Sequence, residues 1–477
     1  MDLTRLKPTP RALGIALAIT AVAVGGGPKT VLAEPKLVDT ESWIMGGSGL
    51  PIPPQSYLDA LSALYIDPAQ PYFEGQPQFP VDATNPLYTP EGLYPNSGVN
   101  SLELDTSLAQ GVTILNSTIG SQIADGNNLV VLGYSQSATI STMEMRDLLA
   151  LPSADQPGAD QLSFVLLGDP NNPDGGLFER FDLPVFGTDY PTLASMGITF
   201  NGATPADTPW DTAIYTLEYD GYADFPRYPI DVLSDLNATL GIEYEHTIYP
   251  DLTAAQLASA IELPVTAGYA SNTDYFMIPS AELPLLEPLQ SIPVIGQPLY
   301  DLLEPDMRIL VNLGYGSITD GWDSGPANVA TPFELFPSDL NFGDVLTALE
   351  NGAQQGIQDF VDDLGSLSSA DSGTAALSTL DSLPSFTDIV DAISSAASSA
   401  YGALLPTADL INALLTTAPA YSATVFADEL AAGDPTDAIG LPIAGLLGLG
   451  SIALGYEYIV IEGAAAAINA DFASLIP

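Results

Sequence analysis

Residues Asn128 to Leu149 read NLVVLGYSQSATISTMEMRDLL, and the period of their hydrophobicity changes midway. Leu129, Val130, Val131 and Leu132 form an uninterrupted apolar run, as a strand buried on both faces of a parallel sheet requires, and Gly133 ends it. From Ser137 onward Ile140, Met143, Leu148 and Leu149 recur at helical spacing. Ser135 stands at the switch. A serine on a sharp strand-to-helix turn is a nucleophile elbow when small residues two before and two after it let strand and helix approach closely. Gly133 and Ser137 meet that need, although G-Y-S-Q-S departs from G-x-S-x-G at its last position. The competing reading is a surface turn with an incidental serine, and other parts of the chain decide between the two.

Working outward, the chain before the elbow supplies a helix and an early strand. Leu108, Val112, Leu115, Ile119 and Ile123 follow a helical stripe, with Asp105 expected as its N-cap. Residues 67–100, rich in Pro, Tyr and Asn, read as a loop excursion. Trp43, Ile44 and Met45 read as a short strand followed by Gly46-Gly47-Ser48-Gly49. A glycine turn with free amides could cradle phosphate, but no Lys-Ser/Thr follows and no G-x-G-x-x-G is present. In a hydrolase, one oxyanion-hole donor is the amide after the nucleophile, here Gln136, and the other comes from a loop after an early strand, here around Gly47 and Ser48. Beyond the elbow, Leu162 to Leu167 is another buried strand, and Ala213 to Tyr219 another. Strand, helix, strand, helix, strand implies a central, mostly parallel α/β sheet covered on both faces.

The loop Gly168 to Gly176, GDPNNPDGG, fails as an EF-hand, because Asp174 falls where that loop needs glycine and Arg180 where it needs a carboxylate. It reads as a turn cluster at the carboxyl end of a strand. No metal site and no cofactor is expected.

His246 is the only histidine in the molecule. A serine hydroxyl needs a neutral imidazole to take its proton and return it to the leaving group, so in a serine hydrolase His246 must be that base. The order nucleophile, acid loop, histidine is that of the α/β-hydrolases. A carboxylate must then fix the imidazole tautomer. Asp224, three residues after Gly221 and two before Pro226, is favoured; Asp220 is the alternative acid, and Asp169 a distant third.

Composition narrows the setting. The formal net charge of −50 repels phosphate backbones and excludes nucleic acid as a partner, while 46% apolar and 14% charged residues describe a folded chain. Four of the nine Lys and Arg (Arg5, Lys7, Arg11, Lys29) precede residue 34. With the apolar stretch Ala12 to Val24 and the small residues around Val31-Leu32-Ala33, they mark residues 1–33 as an export signal, cleaved before Glu34 or retained as an anchor. An exported chain without cysteine relies on a large core instead of disulfides.

Beyond residue 330 the chain becomes rich in Ala, Ser and Leu. Phe342 to Leu364 and Thr387 to Thr417 read as helices separated by Ser-rich linkers such as Ser366 to Ser372. Ala438 to Tyr456 runs for 19 residues without a charge, but Pro442 and its many glycines favour a buried or surface-associating helix over a membrane span. The expected domains are therefore 1–33 (signal), 34–330 (α/β-hydrolase) and 331–477 (mainly helical).

The turn at Gly46, G-Y-S-Q-S at Gly133, L-G-D-P-N-N-P-D-G-G at Leu167, Y-D-G-Y-A-D-F-P at Tyr219, E-H-T-I-Y at Glu245 and MRILVNLGYG at Met307 together resemble the PE-PPE domain of mycobacteria. In place of the N-terminal PE or PPE helical module stands the expected export signal. The resemblance implies a cutinase-like α/β-hydrolase fold, a serine esterase acting on acyl ester or lipid substrates, and a place in the cell envelope, with peripheral membrane or cell-wall association as an expected partner. Two activities share the triad: hydrolysis of fatty acyl esters, and acyl transfer to a sugar or lipid hydroxyl. A third expectation is a surface module on an inactive hydrolase scaffold.

Overall fold

Residues 128–134 form the strand that the apolar run predicts, and its alternation explains how two cores arise from one sheet. Leu129 and Val131 pack into one hydrophobic cluster, Val130 and Leu132 into another. The next strands divide in the same way, Phe164 and Leu166 to the first face, Val165 and Leu167 to the second. Successive residues of a strand point to opposite faces, so a run apolar at every position needs cover on both.

The computed structural model describes residues 38–184, 188–367 and 386–473. The expected export signal, residues 1–33, and Glu34 lie outside these. Residues Asp39–Pro477 cluster as a single unit. Its sheet contains β1 (Thr40–Ile44), β2 (Ala83–Pro86), β3 (Asn128–Tyr134), β4 (Leu162–Leu167), β5 (Asp211–Leu217), β6 (Ile261–Glu262) and β7 (Thr273–Ile278). Their order is β2-β1-β3-β4-β5-β7-β6, with every pairing parallel except that of β6 with β7. The connection from β1 goes first outward to β2 and then back across to β3. The crevice at the carboxyl ends of β1 and β3 is therefore a topological switch point, where open α/β sheets bind ligands.

One face is covered by α1 (Leu104–Asp125) and α2 (Gln136–Ala150), whose Leu108, Leu115, Ile119, Ile140 and Met145 are buried in the first cluster. The other is covered by Leu58, Leu61, Tyr65 and Ile66 from the segment after β1 and by Tyr249 and Leu252. Each fully buried side chain of this size contributes about 1.5–3 kcal/mol.

Two sequence expectations change here. The excursion 67–100 contains β2, whose residues Ala-Thr-Asn-Pro carry no apolar alternation because it is an edge strand held by pairing to β1. Asp105 does not cap α1. Glu103 is the N-cap residue, and the Asp105 carboxylate accepts from the backbone N–H and hydroxyl of Thr199 at 2.9 and 2.8 Å, tying the helix to a short hairpin strand.

The helix after β5 is α3 (Val232–Tyr244), and the later long ones are α4 (Gly296–Asn312), α5 (Phe342–Leu367), α6 (Phe386–Gly402), α7 (Leu404–Ala432) and α8 (Pro435–Ala473). The segment read as one helix over 387–417 is thus two, meeting at Ala403, and Ser366 belongs to α5; residues 368–372 of the proposed linker lie outside the described residues. By length and composition, 394–432 and 435–471 could cross a membrane, with 28% and 39% of their most apolar windows buried. The glycines of α8 explain how it packs. A Cβ at Gly448 or Gly455 would lie 2.6 Å from Phe181 and 2.2 Å from Thr239 respectively, so the uncharged stretch is seated directly on the α/β body, and one at Gly440 would lie 2.2 Å from Leu335.

Candidate active site

The elbow is strained as its sequence requires. Ser135 has φ 59° and ψ −120°, a conformation that L-residues occupy only when their surroundings enforce it. Ser137, where many elbows carry glycine, earns its place by bonding: its hydroxyl accepts the Tyr134 N–H at 2.8 Å and lies 3.1 Å from the Tyr134 carbonyl oxygen. The turn is therefore closed by a side chain.

His246 Nε2 lies 2.7 Å from Ser135 Oγ, and His246 Nδ1 lies 2.8 Å from each carboxylate oxygen of Asp220. All three side chains are buried to within a few per cent. The carboxylate facing the imidazole is thus Asp220, the alternative, and not Asp224. The reason is topological. Asp220 stands just past the end of β5, at the same sheet edge as Ser135, whereas Asp224 closes the turn back onto its own strand and accepts the Tyr219 N–H at 2.9 Å. Asp224 is wholly buried, and burial pushes its carboxyl well above the usual range despite the Arg180 guanidinium nearby. Asp169 accepts from Thr204 Oγ1 and the Asn171 N–H, and burial pushes it up to about 6.

Acid and base meet because two glycines permit it. A Cβ at Gly221 would lie 2.1 Å from the Ala238 carbonyl oxygen, and one at Gly241 would lie 1.9 Å from that of Tyr219. The acid turn and the end of α3 therefore touch backbone to backbone, and His246 follows two residues beyond that helix.

Several tyrosines complete the surroundings, and nothing in their spacing marked them. The Tyr249 hydroxyl donates to Asp220 Oδ2 at 2.8 Å and accepts the Leu217 N–H. Burial, with the Asp220 charge, raises the Tyr249 phenol far above its ordinary value, so it remains a donor. The Tyr222 N–H donates to Asp220 Oδ1 at 3.0 Å, and the Tyr222 ring meets the His246 ring edge-on at 4.7 Å. The Tyr134 hydroxyl donates to the His246 carbonyl oxygen. Both ends of the imidazole's support are thus fixed.

The residues expected around an oxyanion lie beside Ser135. A Cβ on Gly47 would come 3.4 Å from that of Ser135, and among the described residues the N–H groups of Gly47, Ser48 and Gln136 donate to no acceptor. Ser48 Oγ donates to Gln136 Oε1 at 2.9 Å, while Gln136 Nε2 donates to Ser107 Oγ at 2.6 Å. The Gln136 side chain, whose bonding role sequence did not reveal, therefore links the glycine turn to α1. A cleft of about 580 Å³ opens over Ser135; Leu93, Ile242 and Ile459 supply apolar wall, and Glu243, Thr247 and Asp251 polar wall.

The many buried acids around this framework have a consequence for stability. Burial pushes Glu91, Glu179 and Glu245 up to about 8 and Glu144 up to about 7. Between the unfolded carboxylate range and pH 8 the folded chain binds protons that the unfolded chain has lost, so stability is complete below that range and falls as pH rises through about 8. The thermal midpoint, followed by circular dichroism, is expected to be higher at pH 5.5 than at pH 8.5. A flat or rising midpoint across that interval contradicts the burial of these groups.

Comparison with known sequences adds to this geometry. The family profile described as "PE-PPE domain" matches residues 80–316. Over 474 residues the chain is 39% identical to "Uncharacterized PPE family protein PPE28" of Mycobacterium tuberculosis, covering 94% of this chain and 69% of that protein. It is 43% identical over 320 residues to "Esterase PE16" of the same organism, covering 67% of this chain and 54% of the other. To that organism's "SL1278 acyltransferase Chp1" it is 28% identical over 284 residues, covering 59% and 65%. The chain thus spans little more than half the length of the esterase.

Proposed function

The chain belongs to the PE-PPE domain family, and we propose that it is an exported serine esterase of the cell envelope that hydrolyses fatty acyl esters through an acyl-Ser135 intermediate. One observation carries this reading: the unbroken chain of contacts from Ser135 through His246 to Asp220 at the sheet's switch point. His246 bears its proton on Nδ1, held by Asp220, which leaves Nε2 free to accept the proton of Ser135. Ser135 Oγ bonds to the ester carbonyl carbon. The carbonyl oxygen, now negative, takes hydrogen bonds from the N–H of Gln136 and from that of Gly47 or Ser48. As the tetrahedral species collapses, the carbon–oxygen bond to the alcohol breaks and that oxygen receives the proton from Nε2. Water then attacks the acyl-serine by the same route, releasing the acid and restoring the serine.

A second reading, transfer of the acyl group to a sugar or lipid hydroxyl, differs only in the nucleophile that relieves Ser135. The similarity to an acyltransferase favours it, and so does the polar wall of Glu243, Thr247 and Asp251, which suits an acceptor's hydroxyls. The basic and apolar N-terminal stretch that reads as an export signal and the apolar C-terminal helices support a place at the envelope.

A fluorophosphonate probe tests the shared chemistry, because it phosphonylates only an activated serine. Labelling is expected at Ser135 alone, and to be suppressed by preincubation with a fatty acyl ester. Labelling elsewhere, or none, removes the mechanism. Product analysis with and without a sugar acceptor then separates hydrolysis from transfer.

A further inference from the structure

The cleft over Ser135 does not end at the hydrolase body. A second cavity of about 520 Å³ adjoins it, and the two share Asn96 and Ile459 as lining residues. Both volumes lie within the range of about 300–1,000 Å³ typical of small-molecule sites. The second cavity has three walls. One is the loop Pro95–Val99, one is the junction of α6 and α7 at Gly402, Ala403 and Pro406, and one is α8. On α8 the lining residues Ile459, Gly463 and Ala467 recur every four positions, with Val460 and Ala464 beside them, so they form one face of about 12 Å along the helix axis.

This face differs from the earlier part of the same helix. At Gly448 and Gly455 an added Cβ would collide with the hydrolase body, and at Gly440 with Leu335, so those glycines serve close packing. At Gly463, and at Gly402 and Gly98 on the facing walls, an added Cβ would meet nothing within 4 Å. The space there is open. Acidic and basic side chains are missing from its lining, in contrast to the cleft over Ser135, where Glu243 and Asp251 stand. The helix is held in position over the site by the Tyr456 hydroxyl, 2.8 Å from that of Tyr222, whose ring touches His246.

We propose that this second cavity, built between the 95–99 loop and the C-terminal helices, is the channel for the acyl chain of the ester, with Ile459 at its junction with the catalytic cleft and Gly402 and Gly463 setting the chain length accepted. The inference rests on the reading of Ser135 as an acylated nucleophile. An acyl chain starts at the carbonyl carbon that Ser135 attacks, so its channel must open from the catalytic cleft, and it must be apolar and uncharged. This cavity carries no charge, and Asn96, Ser398 and Ser399 are the polar residues of an otherwise apolar lining, whereas Glu243 and Asp251 stand in the wall of the cleft. It assigns to the C-terminal helices the selection of substrate.

Chain-length selectivity is the measurement. With wild-type protein, kcat/KM for p-nitrophenyl esters is expected to rise from acetate through decanoate, by up to about four-fold for each methylene buried. Gly463→Leu and Gly402→Leu each add a side chain whose Cβ meets no protein atom within 4 Å, and the ratio of decanoate to butyrate kcat/KM is expected to fall at least ten-fold in each. An unaltered ratio in both variants overturns the channel. The channel is also read without the chemistry, by titrating a fluorescent long-chain fatty acid into Ser135→Ala protein. Saturable binding of one equivalent, weakened at least ten-fold by adding Gly463→Leu, supports the proposal. Binding that Gly463→Leu leaves unchanged locates the fatty acid on the exposed apolar helices and refutes it. Selective binding without any ester turnover in the parent protein would leave the channel standing and remove the esterase reading, so the two failures are distinct.

Discussion

Ser135→Ala is expected to lower the turnover of fatty acyl esters by about 10⁶-fold, on the order of 8 kcal/mol of transition-state stabilisation. The substitution removes the atom that carries the acyl group in the proposed mechanism and leaves the rest in place. Alanine tolerates the φ of 59° no worse than serine does, because both carry a Cβ, so the elbow should keep its shape. Its closing bonds come from Ser137 and Tyr134. The proposed oxyanion donors, the amides of Gln136 and of Gly47 or Ser48, are untouched, and such residual electrostatics are expected to leave a rate about 10³–10⁴-fold above the uncatalysed one. Steady-state assays with butyrate and decanoate esters, alongside circular dichroism to establish folding, give the comparison. A loss of less than ten-fold in a folded variant would mean that another nucleophile does the chemistry.

How much of this site could be read from sequence follows from how local each part is. The elbow was legible because strand, turn and helix are consecutive, so the change of hydrophobic period and the small residues at Gly133 and Ser137 lie within one short window. His246 was legible by elimination, there being no second histidine. The Gly46–Gly49 turn was legible as a turn, but its position against Ser135 depends on the pairing of β1 with β3. The tyrosines were not legible at all. Tyr249 reaches Asp220 because the chain after α3 folds under the sheet, and Tyr222 meets Tyr456 across 234 positions of sequence. The strand β2, Ala-Thr-Asn-Pro, is illegible for the opposite reason: an edge strand is stabilised by its neighbour's backbone, so it leaves no pattern in its own side chains. The glycines of α8 weigh in sequence against a membrane span, and two of them, Gly448 and Gly455, also let the helix approach Phe181 and Thr239 closely, a role that sequence does not show.

The C-terminal helices illustrate the same limit at larger scale. Their composition pointed to small-residue helices and to no chemistry. In the fold, Tyr94 donates to Asp409 at 2.7 Å, Tyr421 donates to the Phe181 carbonyl oxygen at 2.9 Å, and Tyr456 meets Tyr222. Each bond joins a residue of α7 or α8 to the hydrolase body. A region that looked like an appendage in sequence is therefore attached on several sides of the site.

Asp220→Asn is expected to cost about 10⁴-fold in kcat, and Asp224→Asn less than about ten-fold. An asparagine at 220 keeps the size of the side chain but can present its amide N–H to His246 Nδ1, which favours the tautomer with the proton on Nε2, the nitrogen that must accept from Ser135. It also removes the negative charge that balances the imidazolium, and sets an amide against the Tyr249 hydroxyl and Tyr222 N–H that now donate to the carboxylate. At 224 the situation is reversed. Burial holds that carboxyl well above its usual range and so disfavours its charged form, the opposite of what a partner for the imidazolium needs. An asparagine oxygen can still accept the Tyr219 N–H, and the cost is confined to pairing the new amide N–H groups at a position where Asp224 Oδ1 has no partner, about 1–3 kcal/mol of stability. The two variants thus differ in what they damage, the first the rate and the second the midpoint of unfolding. Steady-state kinetics and thermal unfolding on both proteins decide it. If Asp224→Asn were the slower enzyme with its midpoint unchanged, the carboxylate serving His246 in solution would not be the one that faces it here.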